Sequence, residues 1–72
     1  MDQVVTVSPV DGGWKVMCSI TGQPLMFSSG AKAEEKARSL AEVFANSGQD
    51  ARVVVHDRRN TLIGTVRYFA SL

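Results

Sequence analysis

Apolar positions follow two different periods along this chain. Between Val4 and Val10 they alternate, with Val5 and Val7 on one side and Val4 and Thr6 on the other. The alternation resumes from Trp14 to Ile20, where Trp14, Val16, Cys18 and Ile20 share one side and Lys15, Met17 and Ser19 the other. A period of two in β-branched and aromatic residues predicts strands. Asp11-Gly12-Gly13 between them is a hairpin turn signal, and Pro9, which cannot donate to a ladder, belongs at an edge or near a strand end. Thr21-Gly22-Gln23 predicts a second turn, followed by a short third strand at Leu25-Met26-Phe27.

The period then changes. Ala33, Ala37, Ala41 and Ala45 recur every four residues, with Leu40 and Phe44 beside them, so one apolar stripe runs along a helix predicted from Gly30 to Asn46. Ser29 is placed to cap it by accepting a first-turn N–H, and Gly48 to take the left-handed position after its end. Lys32 stands where a glutamate would complete a capping box. Beyond the helix, Arg52 to His56 predicts a strand with Val53 and Val55 on one side. Asp57-Arg58-Arg59-Asn60 predicts a turn in which Asn60 tolerates positive φ, and Thr61 to Phe69 predicts the last strand. Gly64 marks a bulge or a close backbone approach, and a bulge there would reverse the phase of that strand.

The expected architecture is α+β: a small antiparallel sheet with one helix packed on one face, in the order β-β-β-α-β-β, forming a single domain over residues 1–72. Alanines let the helix lie close to the sheet. A helix over Val5, Val7, Trp14, Val16, Cys18, Val53, Val55, Leu62 and Val66 leaves Val4, Met17, Met26, Val54, Ile63 and Phe69 on the opposite face. That is much apolar surface for a solvated sheet, and such patches mark association sites.

Size sharpens this expectation. A chain of 72 residues buries a thin core. It has a single cysteine, Cys18, and a single histidine, His56, so neither an internal disulfide nor a Cys/His zinc cluster can form within one chain. Of the usual aids to a small fold, oligomerisation is left. No cofactor is implied. The lone cysteine suits a reducing compartment, no signal-peptide pattern opens the chain, and no apolar run approaches the length of a membrane span, which together point to the cytoplasm. Eight basic and seven acidic residues give a net charge of +1, without the basic excess usual in dedicated nucleic-acid binders.

Three features together resemble a family of short bacterial proteins grouped as a domain of unknown function. They are Gly13-Trp14-Lys15-Val16 on the second strand; the helix opening at Ser29 and running through Ala33, Ala37, Leu40 and Ala41; and Val53-Val54-Val55-His56 followed by a turn, Ile63 and Tyr68. The resemblance spans about Val4 to Tyr68. It departs from the family pattern at Asn60, where a turn glycine is usual, and at Lys32, where an acidic residue is usual. The resemblance implies the same α+β fold and no particular chemistry.

Three functions are weighed. The first is a non-enzymatic module that self-associates as a dimer, or binds a protein, through its open sheet face or an edge strand, with Met17, Met26, Val54, Ile63 and Phe69 as the contact residues. The second is a nucleic-acid-binding accessory using the basic turn Arg58-Arg59 with Lys15 and Arg67. The third is a small enzyme with His56 as a general base oriented by Asp57. This is the weakest, because neighbours on a strand point to opposite faces and no acid–base pair of carboxylates is placed by the sequence. Cys18, in phase with Trp14 and Val16, reads as core.

Overall fold

The computed structural model describes residues 3–19, 22–59 and 61–70. Five strands and one helix follow in the order β1 (Gln3–Val10), β2 (Gly13–Cys18), β3 (Leu25–Phe27), α1 (Gly30–Asn46), β4 (Ala51–His56) and β5 (Leu62–Tyr68). This is the expected α+β order. Ile20, Thr21 and Asn60, to which the sequence pattern assigns a strand position and two turn positions, lie outside the described residues.

The sheet runs β3-β2-β1-β4-β5 and is mixed, not wholly antiparallel. β1 pairs antiparallel with β2, and β2 with β3, but β1 and β4 are parallel, with Val5 opposite Val53. The cause is the helix. It carries the chain back along the sheet, so β4 enters in the direction of the strand that preceded the helix, as a crossover connection requires.

The helix starts and stops where its capping chemistry says. Ser29 is extended (φ −127°, ψ 133°), and its Oγ accepts the Lys32 N–H at 3.4 Å. At the far end Gln49 N–H donates to the Phe44 carbonyl and Gly48 N–H to that of Ala45, with Gly48 at φ 93°. This is a Schellman closure, which needs a residue that tolerates the left-handed conformation.

The helix lays Ala33, Ala37 and Ala41 onto Val5, Val7, Val16 and Val53, and every one of these residues is buried. Trp14, Phe27, Leu40, Phe44, Val55 and Tyr68 close the margins of this core. Valines and alanines make it thin, in keeping with the size of the chain. Cys18 is buried on the same face with its thiol free. Gln3 is also buried, and its amide is satisfied: Ser19 Oγ donates to Gln3 Oε1 at 2.8 Å, and Gln3 Nε2 donates to Gln49 Oε1 at 2.7 Å.

The last strand departs from the expected packing. Leu62 and Val66 were expected beneath the helix, but both are exposed. The helix lies over β1, β2 and β4 and barely reaches β5. The suspected irregularity near Gly64 is present: Val55 pairs with Gly64 and His56 with Leu62, so Ile63 is an extra residue. Paired residues share a face, so this bulge sets Leu62 on the open face with His56 while Val66 keeps the helix side with Val53.

Candidate functional site

One end of the molecule is organised around Trp14. Its neighbour Gly13 sits where a Cβ would lie 2.5 Å from the Phe27 carbonyl oxygen, so only glycine lets β3 come this close. The indole lies against the helix start, where a Cβ on Gly30 would stand 3.0 Å from the ring. Arg58 covers the ring with its guanidinium carbon 4.9 Å from the centroid, and its Nη1 donates to the Val10 carbonyl at 3.0 Å. Arg58 therefore ties the β4–β5 turn to the β1–β2 hairpin. Beside it a shallow, open hollow of about 550 Å³ is lined by Ser8, Pro9, Val10, Asp11, Lys15 and Arg58.

Asp57 serves the turn. Its Oδ1 accepts the backbone N–H of Arg59 at 2.9 Å and of Thr61 at 3.0 Å. This is the turn-forming use of an aspartate carboxylate. His56 lies on the open face, half-buried, and its Nδ1 is buried without a hydrogen-bond partner. Among the described residues, no three of His, Cys, Asp and Glu come together as a metal site.

The register assigns the open face. Val4, Thr6 and Ser8 of β1 share it with Lys15 and Met17 of β2, Met26 of β3, Arg52, Val54 and His56 of β4, and Thr65 and Arg67 of β5. Of the apolar residues expected to form a contact patch, Met17 and Val54 are half-buried and stand on either side of Thr6. Met26 is on the β3 edge, whereas Ile63 and Phe69 lie at the β5 edge, so the sheet separates them by four strand spacings, ~19 Å. The five do not form one patch.

The basic residues divide in the same way. Lys15 stands by the hollow with Arg58, and Arg59 is exposed in the turn. Arg67 lies at the other end of β5, its guanidinium 5.8 Å from the Phe69 ring centroid. Directly opposite it on β4 is Arg52, which no sequence motif singles out. Arg52 Nε is buried with no hydrogen-bond partner, an arrangement that costs about 1–3 kcal/mol. Only the register of β4 against β5 brings these two arginines together, and no local signal in the sequence announces it.

The two edges differ. β3 is three residues long, and shortness is itself an edge defence. β5 runs for seven residues, none of them buried, and Leu62, Ile63, Val66 and the adjoining Phe69 are between 48% and 72% exposed. No helix of the described chain is long and apolar enough to cross a membrane.

Compared with known proteins, the chain matches no family model, no curated protein and no solved structure. The resemblance to the short bacterial family therefore rests on its motifs alone.

Proposed function

We propose that this protein is a small non-enzymatic interaction module, acting in the cytoplasm, that pairs with a second copy of itself along β5. The observation that carries the reading is the β5 edge, which combines a row of unpaired backbone groups with exposed Leu62, Ile63, Val66 and Phe69. A strand edge of this length and apolarity recruits another strand. An antiparallel two-fold pairing centred on Thr65, the middle residue of β5, sets Gly64 opposite Val66, and the bulge at Ile63 shifts the register beyond them. No like charges meet, and the two sheets continue as one. The partner also supplies burial that a valine–alanine core of this size lacks.

The test is sedimentation velocity across a range of protein concentrations. The expected species at high concentration has twice the 7.8 kDa chain mass, and Ile63→Lys with Val66→Lys keeps the chain monomeric. A wild-type chain that stays monomeric up to millimolar concentration would overturn the reading. A dimer that survives both lysines but is abolished by Met17→Lys would move the interface to the open face.

A further inference from the structure

We infer that the hollow beside the β1–β2 hairpin binds a small phosphomonoester that also carries free hydroxyl groups, a sugar phosphate by class. Lys15, Arg58 and the Ser8 hydroxyl hold the phosphate, and Asp11 accepts from the ligand's hydroxyls. The inference goes beyond β5 pairing and does not depend on it: all four side chains belong to one copy, and none is on β5.

The hollow exists because β1 outruns its neighbour. Pairing of β1 with β4 reaches Val7 and Val55, whereas β1 continues to Val10 and β4 ends at His56. Ser8, Pro9 and Val10 therefore have β2 on one side and the Arg58 turn, not a strand, on the other. Pro9 has no N–H with which to recruit a strand here, so the gap stays open to a small ligand. Its volume of about 550 Å³ lies in the range of small-molecule sites.

The donors that line it are unspent. Ser8 is only 8% exposed, and its hydroxyl has no hydrogen-bond partner among the described residues. The buried polar atoms without partners are Arg52 Nε and His56 Nδ1, so the Ser8 hydroxyl is not sealed in but opens to the hollow. The Lys15 ammonium makes no ion pair or hydrogen bond with a described residue. Arg58 is held by the Trp14 ring and the Val10 carbonyl, which uses one of its five N–H donors. Fixed in advance, it loses little freedom when a ligand arrives. Two cations and a hydroxyl suit a phosphomonoester, which is close to a dianion at neutral pH.

Asp11 decides the class of ligand. Its carboxylate lines the same hollow as Lys15, yet no ion pair joins the two. That carboxylate repels a bare phosphate or a polyphosphate chain, whereas a hydroxyl donates to it. Asp57, next to Arg58 in the chain, is already engaged by the N–H groups of Arg59 and Thr61, so Asp11 is the carboxylate that the ligand meets. Among the described residues that line the hollow none is aromatic, and Arg58 covers the Trp14 ring, so a nucleotide base has no surface to stack on. A hydroxyl-bearing ring with one phosphate matches both ends of the hollow.

The experiment is an amide NMR titration of the full chain with glucose 6-phosphate, with glucose, inorganic phosphate and adenosine monophosphate as comparison probes. Saturable shifts are expected at Ser8, Val10, Asp11 and Lys15, with inorganic phosphate and the nucleotide weaker and glucose without effect. Lys15→Gln should weaken binding about tenfold, the worth of a hydrogen bond between charged groups, and Ser8→Ala about threefold. Asp11→Asn should leave inorganic phosphate bound as tightly or more tightly, and should narrow its margin from the sugar phosphate. Arg59→Gln, in the same turn but outside the hollow, should bind as wild type does. The inference is overturned if glucose 6-phosphate gives no saturable shift, or if its shifts lie outside the hollow. It is overturned equally if inorganic phosphate or the nucleotide binds as tightly, or if Arg59→Gln weakens binding as much as Lys15→Gln. Unchanged affinity in Lys15→Gln overturns it too, and Ser8→Ala supplies that reading if the lysine variant does not fold.

Discussion

Arg58 lies over Trp14 at 4.9 Å and donates to the carbonyl of Val10, joining a turn to a hairpin 48 residues away in sequence. The contact closes the end of the sheet at which β1, β2 and the helix start meet. An exposed cation–π contact contributes about 0.5–1 kcal/mol and a hydrogen bond about as much again. Arg58→Ala is expected to lower stability by about 1 kcal/mol, and Arg58→Lys by less, because lysine keeps the charge but loses the planar stack. Thermal unfolding followed through the emission of Trp14, the single tryptophan, reads both effects. A shift of about 4–8 °C is expected for a domain of this size. An Arg58→Ala protein that melts with wild type would show the contact to be idle.

Gly13 acts through proximity, not through an unusual dihedral. The turn's left-handed residue is Gly12, at φ 74°, whereas Gly13 is a strand residue against which the Phe27 carbonyl closes. Gly13→Ala therefore drives a methyl group into the backbone of β3, which cannot move aside as a flexible side chain would. The expected destabilisation is about 1–3 kcal/mol, at the scale of overpacking, read as a lower urea midpoint. Gly12→Ala is also strained, because of its φ, but leaves β3 seated. Hydrogen exchange at β3 separates the two: faster in Gly13→Ala, unchanged in Gly12→Ala.

Arg58 and Gly13 mark the boundary between what a local sequence pattern encodes and what only the fold brings together. The helix is legible to its ends, because Ser29, the alanine stripe and Gly48 each state their role within a few residues. The alternation of β1 and β2 is legible for the same reason. Pairing is not. Whether β4 joins β1 or another strand depends on where the helix crosses, and no local pattern encodes that. Gly13 reads as one more turn glycine until Phe27 is placed beside it. Arg52 reads as an ordinary strand residue until the bulge at Ile63 fixes which β5 residue faces it. The apolar patch expected across the open face is broken up because the strand order sets β3 and β5 at opposite edges, with Met17 and Val54 between them beside Thr6.

Arg52 leads to a prediction of opposite sign. It faces a like charge and leaves Nε buried without a partner. Arg52→Thr removes both costs and places a β-branched residue in a central strand, so stability should rise by about 1 kcal/mol at low salt. The electrostatic part is screened as salt rises, so the gain should shrink toward 1 M salt. Chemical denaturation with urea, which is uncharged, at two salt concentrations makes the comparison. A destabilised Arg52→Thr protein would mean that the arginine stem packs more than its head repels.

Gln3 makes the buried amide network testable. It links Ser19 at the end of β2 to Gln49 beyond the helix. Gln3→Leu has a similar size but leaves the partners Ser19 and Gln49 without their bonds, and stability should fall by about 1–2 kcal/mol. Adding Gln49→Leu should recover part of that, since two apolar partners replace one unsatisfied group. Additive effects in the double variant would show that the two side chains do not act together.

The alanine stripe sets the distance between helix and sheet, and enlarging it should cost more than any surface change. Ala37 is fully buried over a sheet of valines, so a leucine there has no space to enter without lifting the helix. Overpacking costs about 1–3 kcal/mol. Against a total stability on the order of 4–11 kcal/mol for a chain of this length, Ala37→Leu should give a large drop in midpoint. Ala31 lies on the same helix but is exposed, so Ala31→Leu should change stability by only a few tenths of a kcal/mol, leucine and alanine being similar helix formers. A second readout follows from Cys18, which is buried on the covered face. A lifted helix admits a thiol reagent, so Cys18 should react faster in Ala37→Leu than in Ala31→Leu. If Ala37→Leu melts with wild type and protects its thiol equally, the helix is not held at its distance by alanine, and the packing of Leu40 and Phe44 at the core margin must set it instead.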